Sequence, residues 1–374
     1  MDFSLSEEHQ AVADLTRQIL EDQVTQERLK EVEAGSDLWD RRAYAELAKA
    51  NLLGVALPED VGGSGLGYLA TAVILEEIGR TVAPVPFHAT VVLGALPIAK
   101  FGSPAQKQRL LPPAIAGDAI LTAALVEPGT DPDRPTTTAT PTSSGWRLDG
   151  VKVCVPAAEA ASAMLVPARA TATGDIGVFI VDPGASGVTR TPVETTNRQP
   201  ESHIDLDGVM VSRDDALGDP EAGAAVLTWI LERATAALCA TTTGVCEVAL
   251  RKTAEYTKTR EQFERPIASF QAVSQRVADA YVDTEAVRLT AWQAAWRLDA
   301  GMAAAAEVAV AKYWAAEGGQ RVVHAAQHLH GGIGVDRDYP LHRYFLWAKQ
   351  LELTLGGSTR QLLHLGAILA AEPA

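Results

Sequence analysis

Thr259-Arg260-Glu261-Gln262-Phe263-Glu264-Arg265-Pro266-Ile267, followed closely by Phe270-Gln271, separates two of the longest helical patterns in the chain. Upstream lies AAVLTWILERATAALCATTTGVCEVALRKTAEYTKTR (224–260), downstream FQAVSQRVADAYVDTEAVRLTAWQAAWRLDA (270–300), each with apolar residues recurring at helical spacing. A third such segment, AEVAVAKYWAAEGGQRVVHAAQHL (306–329), leads into His330-Gly331-Gly332-Ile333-Gly334-Val335. Segments of this length, joined by short breaks, predict a bundle of antiparallel helices from about residue 219 onward.

Toward the N-terminus the pattern changes. Between about 119 and 215 the chain reads as short apolar runs separated by Gly, Pro, Asp and Ser: AILTAALVEP (119–128), WRLDGVKVCV (146–155), SAMLVPA (162–168), GVFIVD (177–182) and HIDLDGVMV (203–211). Val151-Lys152-Val153-Cys154-Val155 alternates strictly, the period of a half-buried strand. A small β-domain is expected, with Gly129 to Ser144 as a loop or hairpin connection. From Ser4 to about 115 the pattern is helical again. Ser4-Leu5-Ser6-Glu7 has the form of a capping box, and ATAVILEEIGR (70–80) is the clearest helix. Pro58-Glu59-Asp60-Val61-Gly62-Gly63-Ser64-Gly65 reads as a loop, because paired glycines cost too much inside a helix. The expected domains are 1–118, 119–218 and 219–374.

A chain of 374 residues is too long for one compact core, and 47% apolar residues supply the surface for several packed units. No run of about eighteen apolar residues is expected to span a bilayer, and MDFSLSEEHQ is acidic where a signal peptide is basic. A cytoplasmic protein without a membrane partner is expected. Cys154, Cys239 and Cys246 form no CxxC pair, and their odd number fits reduced, mostly buried thiols. The net charge of −15 argues against nucleic acid, which needs an excess of Lys and Arg along one face. His324 and His328 share a helix face with His330 nearby, yet no carboxylate or cysteine completes a ligand set, so no metal is expected.

The order helical, β, helical, together with the Arg260 segment and the His330-Gly331-Gly332 segment about 70 residues later, resembles the acyl-CoA dehydrogenase family over essentially the whole chain. The resemblance implies an α+β fold, acyl-CoA dehydrogenase-like, with an N-terminal helical domain, a middle β-barrel-like domain and a C-terminal four-helix bundle. It implies FAD held between subunits and α,β-dehydrogenation of an acyl-CoA substrate. In proteins like this, Arg260 meets the pyrophosphate of a neighbouring subunit's FAD, where its planar fork pairs two phosphate oxygens. Phe263 and Gln271 flank the adenosine side, with Gln262 in the same segment. Gly331 and Gly332 let backbone approach the dinucleotide, since a Cβ there would clash. The family's usual Gln three residues before the first Gly is His328 here, with Gln327 beside it.

The pattern for chemistry departs from the family. Its reaction needs a carboxylate to take the α-proton. In one branch that base precedes Gly in a C-terminal motif, and here Thr354-Leu355-Gly356-Gly357-Ser358 puts Leu355, or Gly356 after a one-residue shift, at its position. In the other branch it lies ten residues before a helix glycine, and counting from Gly244 gives Ala234 and Thr235. Glu232 stands two residues early, about 200° around a helix. On the flavin side, Val126-Glu127-Pro128-Gly129-Thr130-Asp131-Pro132 lacks the expected hydroxyl, and Cys154-Val155-Pro156 replaces a Trp-Ile-Thr or Trp-Ile-Ser strand; Pro156 has no N–H to offer. LTAALVEPG with PDRP, QHLHGGIGVDRDYPLHRYF and LGGSTRQLLHLGA are similar to the non-catalytic subunit of actinobacterial α2β2 steroid-CoA side-chain acyl-CoA dehydrogenases. That similarity implies a homologous base-bearing partner, a steroid-CoA ester, and an electron-transfer flavoprotein or similar acceptor. The alternatives are a self-sufficient homomeric enzyme with Glu232 as base and a helical scaffold without flavin.

Overall fold

Ser6, rather than Ser4, begins the first helix of the computed structural model, which describes residues 4–371. The Ser6 side chain accepts from the His9 N–H at 3.2 Å, and Glu7 and Glu8 in the first turn suit the positive helix end. Helices α1 (Glu7–Gln23), α2 (Gln26–Ala34), α3 (Arg41–Lys49), α4 (Gly67–Thr81), α5 (Leu96–Phe101) and α6 (Pro104–Ile115) precede the strands. Before α4, Glu59–Val61 forms a single 3-10 turn within the expected loop. His88–Ala95 winds as a π-helix. The Ser103 cap of α6 exchanges hydrogen bonds with Gln106 as a reciprocal box, with Pro104 at its first turn.

The strands are β1 (Ile120–Ala123), β2 (Thr138–Pro141), β3 (Gly145–Pro156), β4 (Ala161–Ala170), β5 (Ile176–Val181), β6 (Val188–Val193) and β7 (Glu201–Ser212). They form one mixed sheet in the order β1-β4-β2-β3-β7-β6, with β5 added on β4. Leu148, Val155, Met164, Val166, Phe179, Ile204 and Val209 are buried in its core. Two strands lie outside the expected runs. β2 falls inside the expected loop 129–144, and β6, VTRTPV, was not anticipated; both are rich in Thr and Pro. Among the described residues β6 pairs with β7 alone, at the sheet edge, where Pro192 is tolerated.

The alternation in β3 runs opposite to the apolar pattern. Lys152 is 0% exposed while Val151 is 41% exposed. Lys152 Nζ donates to Glu127 Oε1 at 2.6 Å and to the Pro167 carbonyl at 2.7 Å. Glu127 also accepts from Thr136 and Thr137 backbone and hydroxyl groups. A bulge between Lys152 and Val155 then restores the apolar face.

After the sheet come α7 (Gly223–Thr259), a short hairpin of β8 (Glu261–Gln262) and β9 (Arg265–Pro266), α8 (Gln271–Asp299), α9 (Ala305–His330), α10 (Leu341–Leu353) and α11 (Ser358–Ala371). The expected C-terminal helical domain is present, with α8, α10 and α11 each packing on α9. Cys239 and Cys246 are buried in α7, whereas Cys154 is exposed. By length and hydropathy α7 would pass as a membrane span, against the expectation, but 67% of its apolar window is buried inside the protein.

Two compact units are distinguishable by internal contact, each built from separated stretches. The first takes the described residues of Met1–Leu29, Tyr68–Ala83 and Thr235–Ala374. Within it α4 and α7 cross on two glycines. A Cβ on Gly79 would lie 2.0 Å from the Thr241 carbonyl oxygen, and one on Gly244 would lie 2.0 Å from that of Glu76. Neither position tolerates a side chain. Arg80 pins the same crossing, ion-paired with Glu76, Glu77 and, at 2.6 Å, Glu247. The second unit takes Lys30–Gly67 and Pro84–Ala234 and contains the sheet.

Candidate functional site

Helix α7 ends where Arg260 N–H closes on the Tyr256 carbonyl at 2.8 Å, and the Arg260 carbonyl then accepts from Ile267 N–H at 2.8 Å. Between these bonds the chain makes the β8–β9 hairpin, with Phe263 (φ 53°) and Glu264 (φ 63°) both left-handed at its tip. Two such residues define a turn that normally calls for Asn-Gly. Their use here costs backbone energy, a cost that concentrates at functional sites. The hairpin holds Phe263 outward, 86% exposed. Phe270 meets its ring edge-on at 6.1 Å, and the Arg265 guanidinium covers Phe270 at 4.1 Å. Arg260, Gln262 and Gln271 are exposed around it, and the Gln262 amide donates to the Glu261 carbonyl at 2.8 Å.

The second motif caps α9. Gly331 (φ 63°, ψ −140°) takes a conformation reserved for glycine, and its N–H returns to the carbonyls of Gln327 and His328. A Cβ on Gly331 or Gly332 would meet nothing within 4 Å, so the backbone of this turn is open to a ligand. The three histidines separate. His324 packs edge-on against Phe345 at 4.9 Å, His328 is exposed, and His330 is buried. Among the described residues no three His, Cys, Asp or Glu side chains gather to hold a metal.

Sequence reasoning missed what joins the two motifs. The His330 ring stacks on Tyr256 with centroids 4.3 Å apart and planes 20° from parallel. Its Nδ1 lies 2.8 Å from the Ala326 carbonyl and its Nε2 3.1 Å from the Tyr339 hydroxyl. The one available signal was Tyr256, a helical turn before Arg260.

The positions counted as catalytic carry no acid. Ala234 is 0% exposed, and its carbonyl lies 3.3 Å from His88 Nε2 of the π-helix. Thr235 is buried, its carbonyl accepting from Cys239 Sγ. Leu355 sits in the left-handed region (φ 57°), its carbonyl accepting from Gln361 at 3.2 Å, and Gly356 follows at φ 95°. Glu232 is partly buried on α7 with its carboxylate 4.0 Å from Arg233. In the sheet, Glu127 is committed to Lys152, and Thr122 donates to the Pro156 carbonyl at 2.6 Å. Cys154 itself is left-handed (φ 52°), and its thiol is pushed up by burial and by Glu201.

Burial lowers His88 to about 4, outweighing its bond to the Ala234 carbonyl. A histidine held neutral in this way costs stability once the unfolded chain can take a proton and the folded one cannot. Stability is therefore fully present above about pH 6.5 and falls as pH drops from there toward 4. Urea midpoints measured across that window should show the decline, and a His88→Gln variant should show less of it.

The profiles described as "Acyl-CoA dehydrogenase, N-terminal domain" and "Acyl-CoA dehydrogenase, C-terminal domain" match residues 6–118 and 221–370. The chain is 42% identical to acyl-CoA dehydrogenase FadE27 of Mycobacterium tuberculosis, covering 100% of each. Among solved structures it is similar to a chain of the ChsE4-ChsE5 complex from Mycobacterium tuberculosis, with a TM-score of 0.94, 42% identity and full coverage of both. It is also similar to a variant of the Tcur3481-Tcur3483 steroid ACAD, with a TM-score of 0.92, 47% identity, and coverage of 98% and 99%.

Proposed function

The chain belongs to the acyl-CoA dehydrogenase family, whose fold relatives are FAD-binding flavoproteins, and from that premise we propose that it completes the FAD site of a base-bearing partner subunit in an α2β2 complex. The observation that carries this is an asymmetry. Arg260, Phe263, Gly331 and Gly332 offer an open, exposed face, while Ala234, Thr235, Leu355 and Gly356 are the residues that fall at the base positions when counted against the family pattern. None of those four can accept the α-proton.

On this reading Arg260 pairs with the pyrophosphate, and Gln262, Phe263 and Gln271 line the adenosine side. Gln327 and His328 lie at the adenine end, and the Gly331-Gly332 backbone lies against the dinucleotide. Such a face fits one half of an FAD site. Bound FAD supplies the hydride acceptor, and the partner's carboxylate takes the proton from the acyl-CoA thioester. The present chain binds and orients. Domains 1–118, 119–218 and 219–374 are the units in which we read that division of labour.

The ChsE4-ChsE5 complex and the Tcur3481-Tcur3483 steroid ACAD support a heteromeric pairing and a steroid side-chain CoA ester as substrate class. A cytoplasmic location and an electron-transfer flavoprotein or similar acceptor complete the proposal. Purified alone, the chain should be colourless; purified with its partner, yellow with one FAD per heterodimer. Tight FAD binding and turnover by the lone chain would refute it.

A further inference from the structure

Arg260 and Gly331 lie about 70 residues apart in sequence, yet their helices meet at a cluster of three rings, of which the two motifs contain only His330. His330 is buried between Tyr256 of α7 and Tyr339 of the segment before α10. Its Nδ1 can only donate to the Ala326 carbonyl, so in the neutral ring Nε2 must accept from the Tyr339 hydroxyl. Tyr256 points its hydroxyl at the His330 carbonyl, 3.5 Å away, on the peptide that joins His330 to Gly331. Tyr256 also supplies the carbonyl on which the Arg260 N–H closes.

We propose that His330 is a positioning residue, which locks the Gly331 turn to the end of α7 so that Arg260 and the Gly331-Gly332 backbone present one rigid face to FAD. This rests on the FAD half-site reading above. A ligand that must be met by two separate motifs is bound more tightly when their separation is fixed beforehand, because no ordering cost remains at binding. Each ring nitrogen of His330 has one partner and one role, which specifies a single orientation of the turn.

The lock requires the neutral ring. Burial lowers the His330 pKa, and Lys252 of α7 adds to the effect, against the Ala326 carbonyl. Other titratable groups near the stack are Glu255 and Tyr256 of α7, Tyr339 itself, and His342 of α10, whose Nδ1 lies 2.7 Å from the Tyr339 carbonyl. Protonation of Nε2 would turn the acceptor facing Tyr339 into a donor and place a charge in the stack beside Lys252.

The test uses the complex with its partner after removal of FAD. His330→Phe keeps the flat ring and loses both hydrogen bonds; Tyr339→Phe, a milder change, loses only the hydroxyl. In titrations with FAD at neutral pH, His330→Phe should bind about tenfold more weakly, the loss expected from about two hydrogen bonds' worth of order. Wild-type affinity should decline on acidification and that of His330→Phe should not, a difference that a purely structural role would not produce. In the lone chain, amide hydrogen exchange at Gly331, Gly332 and Gly334 should be faster in either variant. Wild-type affinity with the wild-type pH profile in His330→Phe would overturn the proposal. If the unmodified complex binds no FAD at any pH, the half-site reading fails, and exchange still decides the positioning role: unchanged exchange in both variants refutes it, faster exchange sustains it. If His330→Phe does not fold, Tyr339→Phe decides: weaker FAD binding at neutral pH with faster exchange at Gly331 sustains the proposal, and wild-type affinity with unchanged exchange overturns it.

Discussion

Replacing Arg260 by alanine should strip FAD from the complex, weakening its binding by roughly 10- to 100-fold, the worth of a charge-assisted bidentate contact to phosphate. The side chain is exposed at the end of α7, so its removal leaves no buried gap and should leave the folding of the chain intact. Arg260→Lys should recover only part of the affinity, since a point charge cannot pair two phosphate oxygens in one plane. FAD content after gel filtration of the complex checks both. Full retention by Arg260→Ala would remove the main support for the flavin reading and favour a helical scaffold.

The largest effect on stability is expected in the β-domain. Lys152→Ala leaves the Glu127 carboxylate buried beside Thr136 and Thr137 without its counter-charge, a change that typically costs about 3–5 kcal/mol. Burial alone would raise Glu127, but the Lys152 charge and the hydrogen bonds of Lys152, Thr136 and Thr137 hold it at about 2. Its contribution is therefore present above the ordinary carboxylate range and is lost as pH falls toward 2. Urea unfolding of the lone chain measures the loss. A double variant, Glu127→Gln with Lys152→Met, should recover most of it, because the charge and the need for its partner go together. A Lys152→Ala chain as stable as the parent would show that water reaches Glu127.

The long helices were legible because periodicity over twenty or more residues outweighs local exceptions; α7, α8 and α9 lie where their apolar spacing put them. The sheet was legible only where its strands are apolar. β2 and β6 carry Thr and Pro, and what makes them strands is a neighbour, β3 or β7, that sequence alone does not align. In β3 the alternation was seen and its phase was not. Hydropathy places a lysine outward, and the reason Lys152 points inward is a carboxylate 25 residues earlier. The candidate site divides the same way. Arg260, Phe263 and the Gly331-Gly332 pair are local motifs, whereas His330 belongs to the site through Tyr256 and Tyr339, each in another segment.

The glycine crossing of α4 and α7 carries an evolutionary consequence. With Gly244 in contact with the Glu76 carbonyl and Gly79 with that of Thr241, α7 has no freedom to slip or turn along α4. The crossing works as a ruler, and the two-residue offset that turns Glu232 about 200° from the counted position cannot be absorbed by a shift of the helix. On the half-site reading proposed above, a lineage with this chain would not return to catalytic independence through small adjustments. It would need a new acid at Ala234, under the His88 contact, or at left-handed Leu355. On that reading, loss of the base makes dependence on a partner a ratchet, with selection acting on the pair and no longer on this chain alone.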